Sequence, residues 1–260
     1  MKTTFEELKA ELLLKAKNNN ACQSGYIQAE KCETKKELVQ VIADNFVWIW
    51  QSKTMTIEDL NKFDSELLQS VGIFANYEGI IKSDLNRFII VGSSSPTIVT
   101  NGSSSPTIVT NGSSSPRIET NGSSSPRIVT YDSSSPRIVT YDSSSPRIET
   151  YDSSSPRIET YDSSSPTIVT NGSSSPRIVT NGSSSPRIVT YDSSSPTIET
   201  NGSSSPRIVT YDSSSPTIET YDSSSPRIFG IKNCIIQSNS SLILDLDNSI
   251  IYKSDKWSVK

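Results

Sequence analysis

The chain has 260 residues, a formal net charge of -4 and no histidine. The acidic balance argues against a general nucleic-acid binder, because phosphate affinity depends on clustered Lys and Arg. Cys22, Cys32 and Cys234 are odd in number and lack CxxC spacing, so we interpret them as reduced structural thiols and expect neither a metal site nor a cofactor.

The N-terminal segment does not resemble a signal peptide. Charged residues such as Glu6, Glu7 and Glu11 interrupt the place where such a peptide needs an apolar core, and no later run approaches the ~20 apolar residues of a membrane span. We therefore expect no membrane insertion, with the cytoplasm as the default location.

Residues 1–70 are predicted to form a small helical bundle, the helical head. Thr4, Thr34 and Thr56 each stand three residues before an acid, which is the capping-box spacing of a helix start. Apolar residues recur behind them at helical spacing, and a further short helix is expected around Tyr26 to Cys32. The predicted centre of the bundle consists of Leu13, Ile42, Phe46, Val47, Trp48, Trp50 and Leu68. We assign the two tryptophans to this core rather than to a binding patch.

Residues 71–92 are expected to form a junction that contains the first rung of a repetitive structure. Turn residues alternate with short apolar pairs from Val71 onward, and Arg87–Val91 is a β-type run that leads into the first repeat.

Residues 93–226 are fourteen near-identical decapeptides with a proline at every tenth position, from Pro96 to Pro226. The consensus is SSSP, Thr or Arg, Ile, Val or Glu, Thr, and then Asn-Gly or Tyr-Asp. A short fixed period is typical of stacked architectures. The fold class we predict is therefore α+β, with a β-solenoid following the helical head.

Conserved and variable positions alternate within each repeat. Pro106, Ile108 and Thr110 have the same identity in the other complete repeats, whereas positions 107, 109 and 111 vary. Since successive side chains of a strand point to opposite faces, the unvarying set is expected inside and the variable set outside. The Val/Glu exchange in particular predicts a solvated position, because burial of an unpaired carboxylate is costly.

Each rung of the solenoid could contain either one decapeptide or two. Ten extended residues span only about 33 Å, barely enough to go around a two-sided coil, so two decapeptides per rung are favoured. Ile108 would then lie beside Ile128, whereas a ten-residue rung would place it beside Ile118. A disordered stalk has a similar composition, but a flexible spacer has no reason to keep Ile at every tenth position.

Residues 227–260 are predicted to form an irregular β cap. Apolar residues such as Ile228, Phe229 and Ile236 are denser here than in the repeats. The charged ending, which includes Lys253 and Lys256, would discourage end-to-end growth of fibres.

The helical head, the GIFANYEG junction at positions 72 to 79 and the GSSSPTIVTNGSSSPRIVTYD-type array together resemble a group of tandem-repeat β-solenoid proteins from intestinal bacteria and their phages. The resemblance covers most of the chain and implies the architecture, but it carries no assigned activity or catalytic residue. Pentapeptide-repeat proteins are a second comparison, although their A(D/N)LxX pattern is missing here.

The variable positions predict a binding function. Seven of the eight combinations of the three exchanges occur in the complete repeats, and Arg and Tyr are common hot-spot residues. The candidate exposed binding residues are Arg117, Arg127, Arg137, Arg147, Arg157, Glu119, Glu149, Glu159, Tyr131, Tyr141, Tyr151 and Tyr161.

The leading hypothesis is a non-enzymatic binding or display scaffold for an unknown macromolecule or surface, and the alternative is a passive spacer or fibre subunit. An ice-binding face ranks third, because Arg and Glu interrupt the exposed rows. The serine runs have no accompanying base for catalysis, so the chain is not expected to be an enzyme. Nucleic acid is an unfavoured partner, and the helical head is a segment through which copies could associate.

Overall fold

The computed structural model describes residues 4–81, 85–230, 234–238, 242–245, 250–252 and 257–258, with side chains as far as residue 237. The chain divides into two compact units, Met1–Ala75 and Asn76–Lys260. The α+β fold class is confirmed, with N-terminal helices followed by a parallel β-solenoid.

The described residues of the first unit form six helices. Thr4 and Thr34 cap their helices as predicted, each accepting a hydrogen bond from the backbone N–H of the glutamate three residues later. The expected helix behind Thr56 is divided in two, and the apolar run after Thr34 is interrupted at Asn45. The helices are α1 (Phe5–Asn18), α2 (Gln23–Glu30), α3 (Lys35–Asp44), α4 (Phe46–Gln51), α5 (Ile57–Leu60) and α6 (Ser65–Ser70).

The core of this unit agrees only in part with the prediction. Ile42, Phe46 and Leu68 are buried, but Trp48 is 37% exposed and lines an open apolar cavity of about 290 Å³. The assignment of Trp48 to the core is therefore wrong. The physical reason is that α4 is only six residues long, so its short, tryptophan-rich surface cannot turn every large ring inward.

The second unit is built from short strands that follow one another at intervals of ten residues. The strands among the described residues are β1 (Ile73–Ala75), β2 (Glu78–Ile81), β3 (Arg87–Val91), β4 (Ser95–Thr100), β5 (Thr107–Thr110), β6 (Arg117–Thr120), β7 (Arg127–Thr130), β8 (Arg137–Thr140), β9 (Arg147–Thr150), β10 (Arg157–Thr160), β11 (Thr167–Thr170), β12 (Arg177–Thr180), β13 (Arg187–Thr190), β14 (Thr197–Thr200), β15 (Arg207–Thr210), β16 (Thr217–Thr220), β17 (Arg227–Phe229), β18 (Ile235–Ser238), β19 (Leu242–Asp245), β20 (Ile250–Tyr252) and β21 (Trp257–Ser258).

Alternate strands belong to two different parallel sheets. The odd-numbered strands from β3 to β19 form the odd sheet, and the even-numbered strands from β2 to β18 form the even sheet. Ile108 pairs in register with Ile128, which confirms two decapeptides per rung. The strands β2 and β3 pair with β4 and β5 and so begin the stack within residues 71–92.

The turns between strands explain why Asn-Gly and Tyr-Asp exchange as pairs. The second residue of each pair adopts a left-handed conformation, with φ of 63° at Gly102 and 55° at Asp132. Glycine accepts this geometry without strain, and aspartate is one of the few other residues that tolerates it. The Asp132 carboxylate also accepts a hydrogen bond from the backbone N–H of Gly112 at 3.1 Å. Each dipeptide therefore satisfies the same turn.

The unvarying Pro, Ile and Thr side chains form the interior, as predicted. Every Ile of the repeats from Ile98 to Ile228 is at most 1% exposed, and the prolines are buried. The Thr at the strand end and the middle Ser of the serine run are buried from Ser114 onward. A narrow interior that contains hydroxyl groups is stable only if those groups are hydrogen-bonded.

The buried hydroxyl groups satisfy one another between rungs, and we name these bonds the Thr–Ser ladder. Thr110 Oγ1 donates to Ser134 Oγ at 3.1 Å, and Ser134 Oγ donates to the Tyr131 carbonyl at 2.7 Å. The same Thr-to-Ser bond recurs along the array, including Thr150 to Ser174 and Thr190 to Ser214, each at 2.9 Å. The ladder thus uses the Ser and Thr positions that do not vary.

The two ends of the Thr–Ser ladder depart from this pattern. Ser114 Oγ is buried without a hydrogen-bond partner, because the position that should supply its threonine is occupied by Ile90. At the other end Cys234 takes the place of the serine and donates to Thr210 Oγ1 at 3.9 Å. Burial raises the pKa of the Cys234 thiol to about 11, as expected for an unreactive structural cysteine.

The C-terminal segment continues both sheets. Strands β17 and β18 extend the parallel stacks, β19 follows β17, and β20 and β21 are antiparallel. The charged residues expected to protect the final edge, Lys253 and Lys256, lie outside the described residues.

Candidate binding surface

The winding separates the candidate binding residues onto two faces. Because consecutive repeats alternate between sheets, Arg127 and Arg147 become neighbours on the odd sheet, whereas Arg137 and Arg157 become neighbours on the even sheet. The repeats that adjoin in sequence therefore do not share a face. Residues twenty positions apart form each local surface.

On the odd sheet, two arginines converge on one glutamate. Arg127 and Arg147 both form ion pairs with Glu149, and the Tyr151 hydroxyl donates to the same carboxylate at 3.5 Å. The arginine side chains are 50% and 56% exposed, but that of Glu149 is only 4% exposed. The guanidinium groups therefore present the surface, with the carboxylate beneath them.

The even sheet repeats this arrangement one decapeptide later. Arg137 and Arg157 pair with Glu159, and the Tyr161 hydroxyl donates to it at 3.0 Å. Burial acts to raise the pKa of Glu159, but the hydrogen bonds from Arg157 and Arg137 outweigh it and hold this pKa below its ordinary value. The carboxylate is consequently charged at neutral pH.

These clusters correct the prediction that the Val/Glu position is solvated. Glu149 and Glu159 are each 3% exposed, and Val139 is fully buried. The side chains project outward, but the long Arg side chains on the same and neighbouring rungs and the nearby Tyr rings cover them. Glu119 is less covered, with its side chain 23% exposed, and pairs with Arg117 on its own strand. The prediction that Glu149 and Glu159 are exposed binding residues is therefore wrong.

The tyrosines form short stacks along the array. Tyr131 stacks on Tyr151 with ring centroids 5.2 Å apart, and Tyr141 stacks on Tyr161 at 5.3 Å. All four rings are partly buried. Burial is the largest cause that raises the pKa of Tyr131 and Tyr161. These rings offer edges and hydroxyl groups to solvent, because at least one face of each is occupied by its neighbour.

Arg187 and Arg207 are not among the binding residues predicted from the sequence. Both are exposed and pair directly in register on the odd sheet. The next outward position of each strand is apolar, at Val189 and Val209, where β9 carries Glu149. The sequence contains this pattern of arginines without a neighbouring glutamate, but the pattern becomes visible only when repeats are compared twenty residues apart.

Among the described residues, no cluster of three His, Cys, Asp or Glu side chains could hold a metal ion. In the same part of the chain, no helix is long and apolar enough to cross a bilayer. The exposed Arg and Tyr groups can donate hydrogen bonds, form ion pairs with anions and make aromatic contacts. No protein-family model matches this chain, and neither the curated proteins nor the solved structures contain a match.

Proposed function

We propose that the chain is a non-enzymatic binding scaffold whose solenoid presents a variable, repetitive surface to a macromolecular or surface partner. The observation that carries the proposal is the separation of roles within each decapeptide. Ile, Pro, Thr and the middle Ser of each serine run build the buried interior without variation, whereas the exchanges change the outward positions and the turns. Surface composition can therefore change without altering the interior contacts of the stack.

The chemistry of the outer faces supports the same proposal. Arg127, Arg137, Arg147 and Arg157 have side chains about half exposed although they are ion-paired. Arginines held in place by Glu149 and Glu159 lose little conformational freedom when they contact a partner, which favours binding. The lack of histidine supports a non-catalytic role. The bacterial and phage resemblance, the cytoplasmic location and association through the helical head stay predictions.

A passive spacer or fibre subunit is the second candidate. Its supporting observation is the unbroken bonding between rungs: Tyr131 N–H donates to the Thr110 carbonyl at 2.9 Å, and Ser135 N–H to the Ser114 carbonyl at 3.0 Å. Such a stack is stiff whatever its surface carries. This role makes no use of the variation in the outward positions.

A capture experiment separates the two candidates. The full chain is compared with a variant in which the exposed Arg of the repeats become Thr and the Tyr-Asp turns become Asn-Gly, both of which are exchanges that the array already contains. A matched circular dichroism spectrum confirms the fold. A binding scaffold loses its partners in the variant. Equal recovery of every partner by both proteins would support the spacer and reject the proposal.

A further inference from the structure

The charges of the solenoid are balanced in its middle and unbalanced toward its C-terminal end. Between β6 and β10 each outward glutamate accepts hydrogen bonds from at least one arginine. On the odd sheet after Glu149, strands β11, β13, β15 and β17 carry no carboxylate. Within the described part of the chain, neither Arg187 nor Arg207 has an ion-pair partner. We call these two residues the Arg187–Arg207 column.

Arg187 and Arg207 are exposed side chains on adjacent strands of the odd sheet. Arg187 and Arg207 are direct partners in the parallel register, so their backbones are ~4.8 Å apart. Their strand neighbours Val189 and Val209 are 3% and 6% exposed and form an apolar floor. The Arg207 guanidinium lies 4.0 Å from the centre of the Phe229 ring. Like charges directly opposite each other on neighbouring strands are unfavourable, so an external anion would relieve the repulsion.

The aspartates that follow the two strands, Asp192 and Asp212, have other partners. The Asp192 carboxylate accepts from the backbone N–H of Gly172 at 3.0 Å, and that of Asp212 accepts from the N–H of Asp192 at 3.4 Å. We restrict the column to Arg187 and Arg207, because the next outward position on both of their strands is a valine.

We propose that the Arg187–Arg207 column binds a linear acidic polysaccharide through its sulfate or carboxylate groups. This proposal rests on the binding scaffold proposed above and names the partner class for one part of its surface. A guanidinium fork matches both kinds of oxyanion in a bidentate manner. Two such forks at the spacing of adjacent strands can engage successive charged groups of one extended polymer, which raises the effective concentration of the second group.

A nucleic acid fits this surface less well. Proteins that bind single strands combine cations with free aromatic faces on which bases stack. Tyr191 and Tyr211, which follow the same two strands, are stacked on each other with centroids 5.0 Å apart and an interplanar angle of 9°. Their facing surfaces are therefore occupied, and of the two only Tyr211 is exposed, at 46%. The net charge of -4 also disfavours a long-range attraction to phosphates.

The test uses two substitutions that reproduce exchanges already found in the repeats. Val189→Glu places a carboxylate beside Arg187 as Glu149 stands beside Arg147, and should weaken binding at least tenfold. Glu149→Val frees Arg127 and Arg147 and should create a second column, so the stoichiometry should double. Both variants leave the interior residues unchanged, and the gain of a site cannot result from misfolding.

Binding is measured by isothermal titration calorimetry of the full chain at low ionic strength. The probes are dextran sulfate, polygalacturonate, neutral dextran and single-stranded DNA. Binding of either acidic polymer, lost in Val189→Glu and doubled in Glu149→Val, supports the proposal, and the two polymers distinguish sulfate from carboxylate recognition. Equal affinity in Val189→Glu, an unchanged stoichiometry in Glu149→Val, binding of neutral dextran, or preference for DNA would overturn it. None of these results alters the outcome of the capture experiment, so the two proposals can fail separately.

Discussion

Replacement of Ile148 by Asp is the most informative perturbation of the solenoid interior. Ile148 is fully buried and lies in register between Ile128 and Ile168. Removal of such a side chain costs about 2–5 kcal/mol in a core that relaxes only partly. The interior side chains provide no ion-pair partner for the new carboxyl group. Keeping it neutral at pH 7, about 3 pH units above the ordinary Asp pKa of ~3.9, costs roughly 4 kcal/mol more.

The expected destabilisation is therefore about 6–9 kcal/mol at pH 7. Its pH dependence has a definite sign. Burial raises the folded-state pKa of this Asp above ~3.9, so the stability is highest below that value and is lost as the pH rises toward the folded-state pKa. Thermal unfolding by far-UV circular dichroism and limited proteolysis, each at pH 7 and in acid, measure both effects.

The matched control is Val189→Glu. Val189 is 3% exposed, yet it is an outward residue with Arg187 on the same strand, the relation that Arg147 has to Glu149. We expect a change within about 1 kcal/mol. If Ile148→Asp melts like the unmodified chain at pH 7, or if the control is the more damaging of the two, the assignment of inward and outward faces is wrong.

Substitutions at four further positions test separate features of the solenoid by chemical denaturation. Ser134→Ala should lower the free energy of unfolding by about 1–3 kcal/mol, because it removes the acceptor of the Thr110 hydroxyl. Ser114→Ala should be neutral or stabilising, because the Ser114 hydroxyl is buried without a partner. Equal losses of stability in the two variants would argue against the Thr–Ser ladder. Glu159→Gln should cost about 1–2 kcal/mol at pH 7. Since the folded-state pKa of Glu159 lies below the ordinary 4.5, its charge stabilises the fold above that value, and the difference should disappear as the pH falls through the folded-state pKa; a difference that persists in strong acid would contradict the ion-pair assignment. Asp152→Ala should lower the free energy of unfolding by about 1–2 kcal/mol, because Asp152 has a φ of 58°. Asp152→Gly should lower it by less. The reverse order would refute the proposed reason why Asp and Gly replace each other at this turn position.

The interior was predictable from the sequence because its signal is local. The identity of Pro106, Ile108 and Thr110 at alternate positions indicates one buried face of a strand, and the short reach of ten residues favours two repeats per rung. Both inferences use only strand geometry. The register of Ile108 with Ile128 confirms them.

The outer surface was predictable only in part because its contacts are not local. Glu149 is buried by Arg127, which stands twenty-two positions earlier, as well as by Arg147 on its own strand. A comparison of residue types within one repeat cannot reveal such cover. Trp48 is a similar case, since its exposure depends on how short α4 is and on the cavity beside it.

The central claim is that residues twenty positions apart are neighbours, since this register decides which variable side chains meet. Disulfide formation tests it directly in a chain with Cys22 replaced by Ser. Ser195 and Ser215 have hydroxyl oxygens 3.0 Å apart, and strand neighbours at ~4.8 Å lie within the range of a disulfide. With this register, Ser195→Cys combined with Ser215→Cys should oxidise rapidly to a disulfide, whereas Ser195→Cys combined with Ser205→Cys should form none. Bridging of the ten-residue pair instead, without the twenty-residue pair, would contradict it.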